Sequence, residues 1–218
     1  MRFTAIFFLL LTLPLTATEL TIGNFSGSEM ANWEPEAFKG VTSYQLTRDG
    51  DRLALRAESH KSASGLMRKV SIDTARYPQL RWSWKVEQLL QREDVTRKKG
   101  DDFVARVYVV FPRTFFWRMR AITYVWSSRM KKGTWAASPY TANSIIVAVE
   151  SGKDHLGEWV CEERNIHDDY RHFFGEDPPL LGAVAIMTDT DDTGGEAVAW
   201  YGDIYLAPAA TLLSSPVN

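Results

Sequence analysis

From Phe103 to Phe111 the chain alternates without a break. Phe103, Ala105, Val107, Val109 and Phe111 fall on one side of an extended backbone, and Val104, Arg106, Tyr108 and Val110 fall on the other. Successive side chains of a strand point to opposite faces, so a period of two marks a strand. The same period returns in Leu53, Leu55 and Ala57, and in Leu80, Trp82, Trp84 and Val86. Further strands are expected at Leu66 to Ile72, Tyr124 to Ser127, Asn143 to Val149 and Glu158 to Ile166, and on both sides of a loop near the C-terminus. Turn signals such as Asp49-Gly50-Asp51, Lys131-Lys132-Gly133 and Ser151-Gly152-Lys153 separate them. A short helix is expected at Asp169 to Phe174, capped by Asp168 and closed by Gly175. Many short strands, frequent turns and almost no amphipathic helix specify an all-β fold. The expected form is an antiparallel jelly-roll-like β-sandwich with one short helix.

The N-terminus does not share this pattern. Arg2, the apolar stretch Phe3 to Leu15 and the small residues Thr16, Ala17 and Thr18 read as a signal peptide over 1–18. That stretch is short for a permanent span, so no transmembrane segment is expected after cleavage. One sandwich domain is expected over 19–207, followed by a small, polar, disordered tail over 208–218. Loss of Arg2 takes the formal charge from −2 to −3. No broad basic field remains, which excludes nucleic acid as the expected partner. Cys161 is the single cysteine, so no internal disulfide can form. Its neighbours Glu162 and Glu163 disfavour a thiolate, and a buried, inert thiol is expected.

The C-terminal loop concentrates acid: Asp189, Asp191 and Asp192, with Thr188, Thr190, Thr193, Gly194 and Gly195, stand between two apolar runs. Carboxylates bunched between strands repel unless a cation, an arginine or water neutralises them. Three uses stay open. Asp189, Asp191 and Asp192 are candidate ligands for calcium, which takes hard oxygen donors. An EF-hand is excluded, because its twelfth position, a glutamate there, is Trp200 here. The aspartates are equally able to cap turns and pair with Arg106 or Arg164. Direct ligand or catalytic use is the third. Paired carboxylates raise glycoside hydrolysis, with Asp101 or Asp102 set against Asp189 as the alternative catalytic pair. Trp126, Trp135, Tyr140, Trp200 and Tyr201 are aromatic candidates for a sugar-stacking platform. The aromatic, arginine-rich segment Pro112 to Ala121 is expected to fold over the sandwich edge, with contact to a partner or membrane as the other reading.

Four segments together carry a family likeness: Lys99-Gly100-Asp101-Asp102-Phe103 with Arg106, Tyr108 and Phe111; Tyr124-Val125-Trp126-Ser127; Gly157-Glu158-Trp159 with Glu163-Arg164-Asn165, Asp168-Asp169-Tyr170 and Phe174-Gly175; and Met187 to Gly194 with Tyr201-Gly202-Asp203-Ile204. They resemble the bacterial domain of unknown function 3047, mostly exported proteins of Gram-negative bacteria. That resemblance implies a periplasmic location and brings no catalytic residue with it. The opening, from Phe25 through Trp33 to Leu80-Arg81-Trp82-Ser83-Trp84-Lys85, is also similar to galactose-binding jelly rolls. This second resemblance implies a ligand groove on a concave sheet and a structural calcium, with Asp203 where a terminal acid would lie. The expected function is therefore a non-catalytic binding domain for an oligosaccharide or other envelope component. Its groove would be built from Arg106, Tyr108, Trp126, Glu163, Arg164, Asp189, Asp191 and Trp200. A saccharide hydrolase or lyase, and an envelope structural protein, are the alternatives.

Overall fold

The computed structural model describes residues 18–209. The signal peptide expected over 1–18 and the tail expected over 208–218 lie outside them, save Thr18, Pro208 and Ala209. In chain order the strands are β1 (Leu20–Gly23), β2 (Glu34–Lys39), β3 (Ser43–Asp49), β4 (Arg52–His60), β5 (Ala63–Ile72), β6 (Gln79–Val86), β7 (Ala105–Phe111), β8 (Arg120–Ser127), β9 (Trp135–Ser138), β10 (Thr141–Ser151), β11 (Val160–Asn165), β12 (Leu181–Asp189) and β13 (Glu196–Ala207). One helix, α1 (Ile166–Phe174), follows β11 directly.

The strands form two sheets. A six-stranded sheet runs β11-β6-β13-β4-β3, with β1 also on β13. A seven-stranded sheet runs β2-β5-β12-β7-β8-β10-β9. All pairs are antiparallel except β8 with β10, which run parallel because the β9 hairpin turns the chain before β10. The expected antiparallel sandwich is observed, with that one parallel pair within it.

Alternation decides which side chains meet between the sheets. Trp82 and Trp84 of β6 point inward, as do Tyr124 and Trp126 of β8 and Tyr201 of β13. Trp82 stacks on Tyr124 with ring centroids 5.4 Å apart, and Trp84 meets Trp126 at 6.1 Å. Val107, Val109 and Phe111 fill the same layer from β7. Each such side chain contributes about 2–3 kcal/mol of burial. A second, smaller cluster of Phe103, Val125, Ile146 and Ala148 lies outside the sandwich, where Val95 and Met130 pack over it. That cover buries both faces of β8 and hides its alternation. Pairing with β7, up to Phe111 opposite Arg120, carries the start of β8 to Arg120, four residues before the expected Tyr124.

The helix begins earlier than expected. Asn165, not Asp168, is the N-cap; its side chain accepts the Asp168 amide at 3.0 Å and donates to the Asp168 carboxylate at 2.6 Å. Gly175 closes the helix in the left-handed region at φ 69°. Cys161 is exposed on edge strand β11, against the expectation of a buried thiol. Phe115 and Trp117 stack with centroids 4.9 Å apart and stay exposed, while Asn143 Nδ2 donates to the Trp117 carbonyl at 3.1 Å. Among the described residues no helix is long and apolar enough to cross a membrane.

Candidate functional site

On the outer face of the seven-stranded sheet, β7 and β12 place Arg106 opposite Met187 and Tyr108 opposite Ala185. Asp189 ends β12 on the same face. Arg106 is buried, and a buried guanidinium requires acceptors. Its Nε donates to Asp189 Oδ1 at 2.9 Å, and its Nη2 donates to Asp189 Oδ2 and to the Asp101 carbonyl. Its Nη1 donates to the Tyr108 hydroxyl at 3.2 Å and lies 3.6 Å from Asp101 Oδ1. Asp189 Oδ1 also accepts the Phe103 amide at 3.1 Å. Burial pushes the Asp189 carboxyl upward, while the Arg106 guanidinium and the Phe103 amide pull it down. The Tyr201 hydroxyl braces the pair from within: it donates to the Met187 carbonyl at 2.6 Å and accepts the Arg106 amide at 3.3 Å.

Above this pair lies a cleft of about 280 Å³. Its walls include Phe38, Tyr140, Met187, Asp191 and Asp192, and Arg106, Tyr108 and Asp189 also line it. Phe38 comes from β2 at one edge of the sheet, and Tyr140 from the turn before β10 at the other. Tyr140 Oη reaches Asp192 Oδ2 of the loop after β12 at 3.2 Å. Phe38 is 76% exposed and Tyr140 56%. Among the described residues the Tyr108 hydroxyl has only the Met187 sulfur, 3.6 Å away, as an acceptor, and a thioether is a weak one.

The loop after β12 forms an acidic cluster at the rim. One carboxylate oxygen each from Asp102, Asp191 and Asp192 lies within 4.8 Å of the others. At that separation each charged pair repels by roughly 3 kcal/mol at an effective dielectric near 20. Burial, then the charges of Asp191 and Asp102, push the Asp192 carboxyl up. Lys39 reaches only Asp191, with Nζ 3.4 Å from Oδ2. Asp189 is not part of this cluster, because both its oxygens are taken by Arg106. Of the expected ligands Asp189, Asp191 and Asp192, the last two lie in this cluster, and Asp102 joins them.

The expected groove does not assemble as one surface. Arg106, Tyr108, Asp189 and Asp191 line the cleft together. Trp126 is wholly buried between the sheets, because it shares the inward parity of Tyr124. Glu163 and Arg164 belong to β11 at the edge of the other sheet: Glu163 accepts from Arg81 at 2.7 Å, and Arg164 forks onto Asp169 at 2.5 and 3.0 Å. Trp200 also lies in that sheet, between Lys85 and Arg56, and its indole N–H donates to Glu87 at 2.8 Å. Of the other expected platform aromatics, Tyr201 is core, Trp135 packs against Phe173 of α1, and Tyr140 lines the cleft. Asp101 and Asp189 both line the cleft and share the Arg106 guanidinium. Asp203, expected at a calcium site, instead accepts the Ser26 amide at 2.8 Å and the Ser26 hydroxyl at 2.5 Å. Phe38 is the wall residue that the pattern did not single out. Its strand, Glu34-Pro35-Glu36-Ala37-Phe38-Lys39, is exposed throughout and carries no apolar alternation.

Residues 31–205 match the family described as protein of unknown function, DUF3047. The chain belongs to that family. No curated protein matches the chain. Among solved structures it resembles the family 30 carbohydrate-binding module of a Clostridium thermocellum cellulosomal cellulase. The TM-score there is 0.53 at 10% identity, covering 89% of this chain and 100% of that one. A family 29 carbohydrate-binding module gives 0.41 at 12% identity, over 87% of this chain and 85% of that one. The xyloglucanase domain of NopAA from Sinorhizobium fredii gives 0.45 at 10% identity, over 81% and 93%. The first likeness is one of fold, and it agrees with the sandwich and with the similarity to galactose-binding jelly rolls.

Proposed function

We propose that this DUF3047 chain is an exported, periplasmic, non-catalytic domain that binds a glycan of the cell envelope in the cleft between Phe38 and Tyr140. One observation carries the reading: two exposed aromatic rings and a polar floor line a single cleft of about 280 Å³. An aromatic face suits the C–H face of a pyranose, and the neighbouring carboxylates and Tyr108 hydroxyl suit its O–H groups. The volume is at the small end for ligand sites, which fits one or two sugar units in contact at a time. The Arg106–Asp189 pair is read as the rigid floor, since its polar atoms are engaged with each other. The fold likeness to a carbohydrate-binding module supports the same reading, and the expected signal peptide supports export. A glycan array probed with the purified chain tests it. Binding to a saccharide class, lost in Phe38→Ala and Tyr140→Ala, is the expected result. Binding unaffected by both substitutions, or to no saccharide at all, would overturn it.

A further inference from the structure

The acidic cluster at the cleft rim holds a second, independent feature. Asp102 is 0% exposed. Its Oδ2 accepts the Thr193 amide at 2.6 Å, but its Oδ1 is buried and meets no hydrogen-bond donor. The Thr193 hydroxyl is buried in the same way and also lacks a partner. A fully buried carboxylate oxygen without a donor or cation is costly, and native proteins rarely leave one so. Among the described residues, no Lys or Arg forms an ion pair with Asp102 or Asp192. Lys39 is mostly exposed and reaches Asp191 from outside.

We propose that Asp102, Asp191 and Asp192 bind a divalent hard cation of the calcium class, with the Thr193 hydroxyl as an added oxygen donor. The donor set contains only oxygen, with no imidazole or thiolate, which selects hard cations over zinc or copper. An irregular loop of carboxylates suits calcium, which tolerates flexible geometry, better than magnesium, which demands a near-ideal octahedron. The cation would join the loop after β12 to the segment before β7, two parts of the chain about ninety residues apart. Asp192 also holds the Tyr140 hydroxyl, so the same ion would steady one wall of the cleft. This site goes beyond the glycan reading and stands without it.

The test uses the purified chain, stripped with chelator and titrated calorimetrically with calcium chloride in the absence of any saccharide. One calcium per chain and a rise in Tm are expected. Asp102→Asn should weaken binding by about tenfold or more, as loss of one charged ligand does. Asp192→Asn removes a partly exposed carboxylate and serves as the second variant if Asp102→Asn fails to fold; it should show the same loss with a metal-free Tm no lower than that of the wild type, since one repelling charge is gone. No calcium binding at millimolar concentration, or undiminished binding in Asp192→Asn, would overturn the proposal. Tighter binding of zinc than of calcium would overturn the hard-cation assignment.

Discussion

Arg106 sets the terms of its neighbourhood. It lies buried on a strand face between Met187 and Tyr108, and its charge is matched by Asp189 with two parallel hydrogen bonds. Removing one partner leaves the other charge buried and unmatched, which costs roughly 3–5 kcal/mol. Arg106→Met should lower unfolding stability by that amount in urea titration. Arg106→Met combined with Asp189→Leu should lose less than the sum of the two single changes, since neither charge then remains. Additive losses would contradict the pairing. Glu162 is a different case. Its Oε1 is buried without a partner, and burial pushes its carboxyl up to about 7, with Lys132 pulling down and Glu150 adding to the rise. The folded state therefore favours the protonated form. Its contribution is fully present below the ordinary value of 4.5 and is lost as pH rises through about 7. Glu162→Gln should lose less Tm than the wild type between about pH 5 and pH 8, and an equal loss would contradict the assignment.

At the scale of elements, the short helix depends on its cap. Asn165→Ala removes the acceptor of the Asp168 amide and should cost about 1 kcal/mol, read by thermal or chemical denaturation. The alternation from Ala105 to Phe111 and along β6 states which residues enter the core, and the structure agrees there; before Ala105 it breaks, with Val104 in the core and Phe103 in the outer cluster. Arg106 was legible as well, since a charge in the middle of an apolar strand implies a partner on the same face. What stayed hidden depended on register and cover. Asp102 joins Asp191 and Asp192 only because the segment before β7 comes alongside the end of β12, and spacing in the chain does not reveal that. Trp126 was misplaced because β8 is covered on both faces, so its parity carries no signal of exposure. Phe38 stands out in the sequence as an apolar residue but not as part of a site, because β2 is an edge strand with Pro35 and two glutamates, held by its pairing with β5 rather than by its own pattern.

Across the whole molecule, the two sheets separate roles. The six-stranded sheet carries Trp200, Glu163 and Arg164 in local pairs with Lys85, Arg81 and Asp169. The seven-stranded sheet carries the cleft over Arg106 and leaves Phe38 and Tyr140 open at its walls. Solvent-exposed rings add little to folding, so their removal should leave stability within about 0.5 kcal/mol. They are well placed for binding instead, and DUF3047 membership is consistent with such a role without specifying it. The most direct test is a calorimetric titration of the best-bound oligosaccharide into the wild type, Phe38→Ala and Tyr140→Ala. The account predicts about tenfold or greater loss of affinity in each variant with Tm unchanged, as for removal of a stacking anchor. Wild-type affinity in both variants would place the ligand elsewhere and contradict the account.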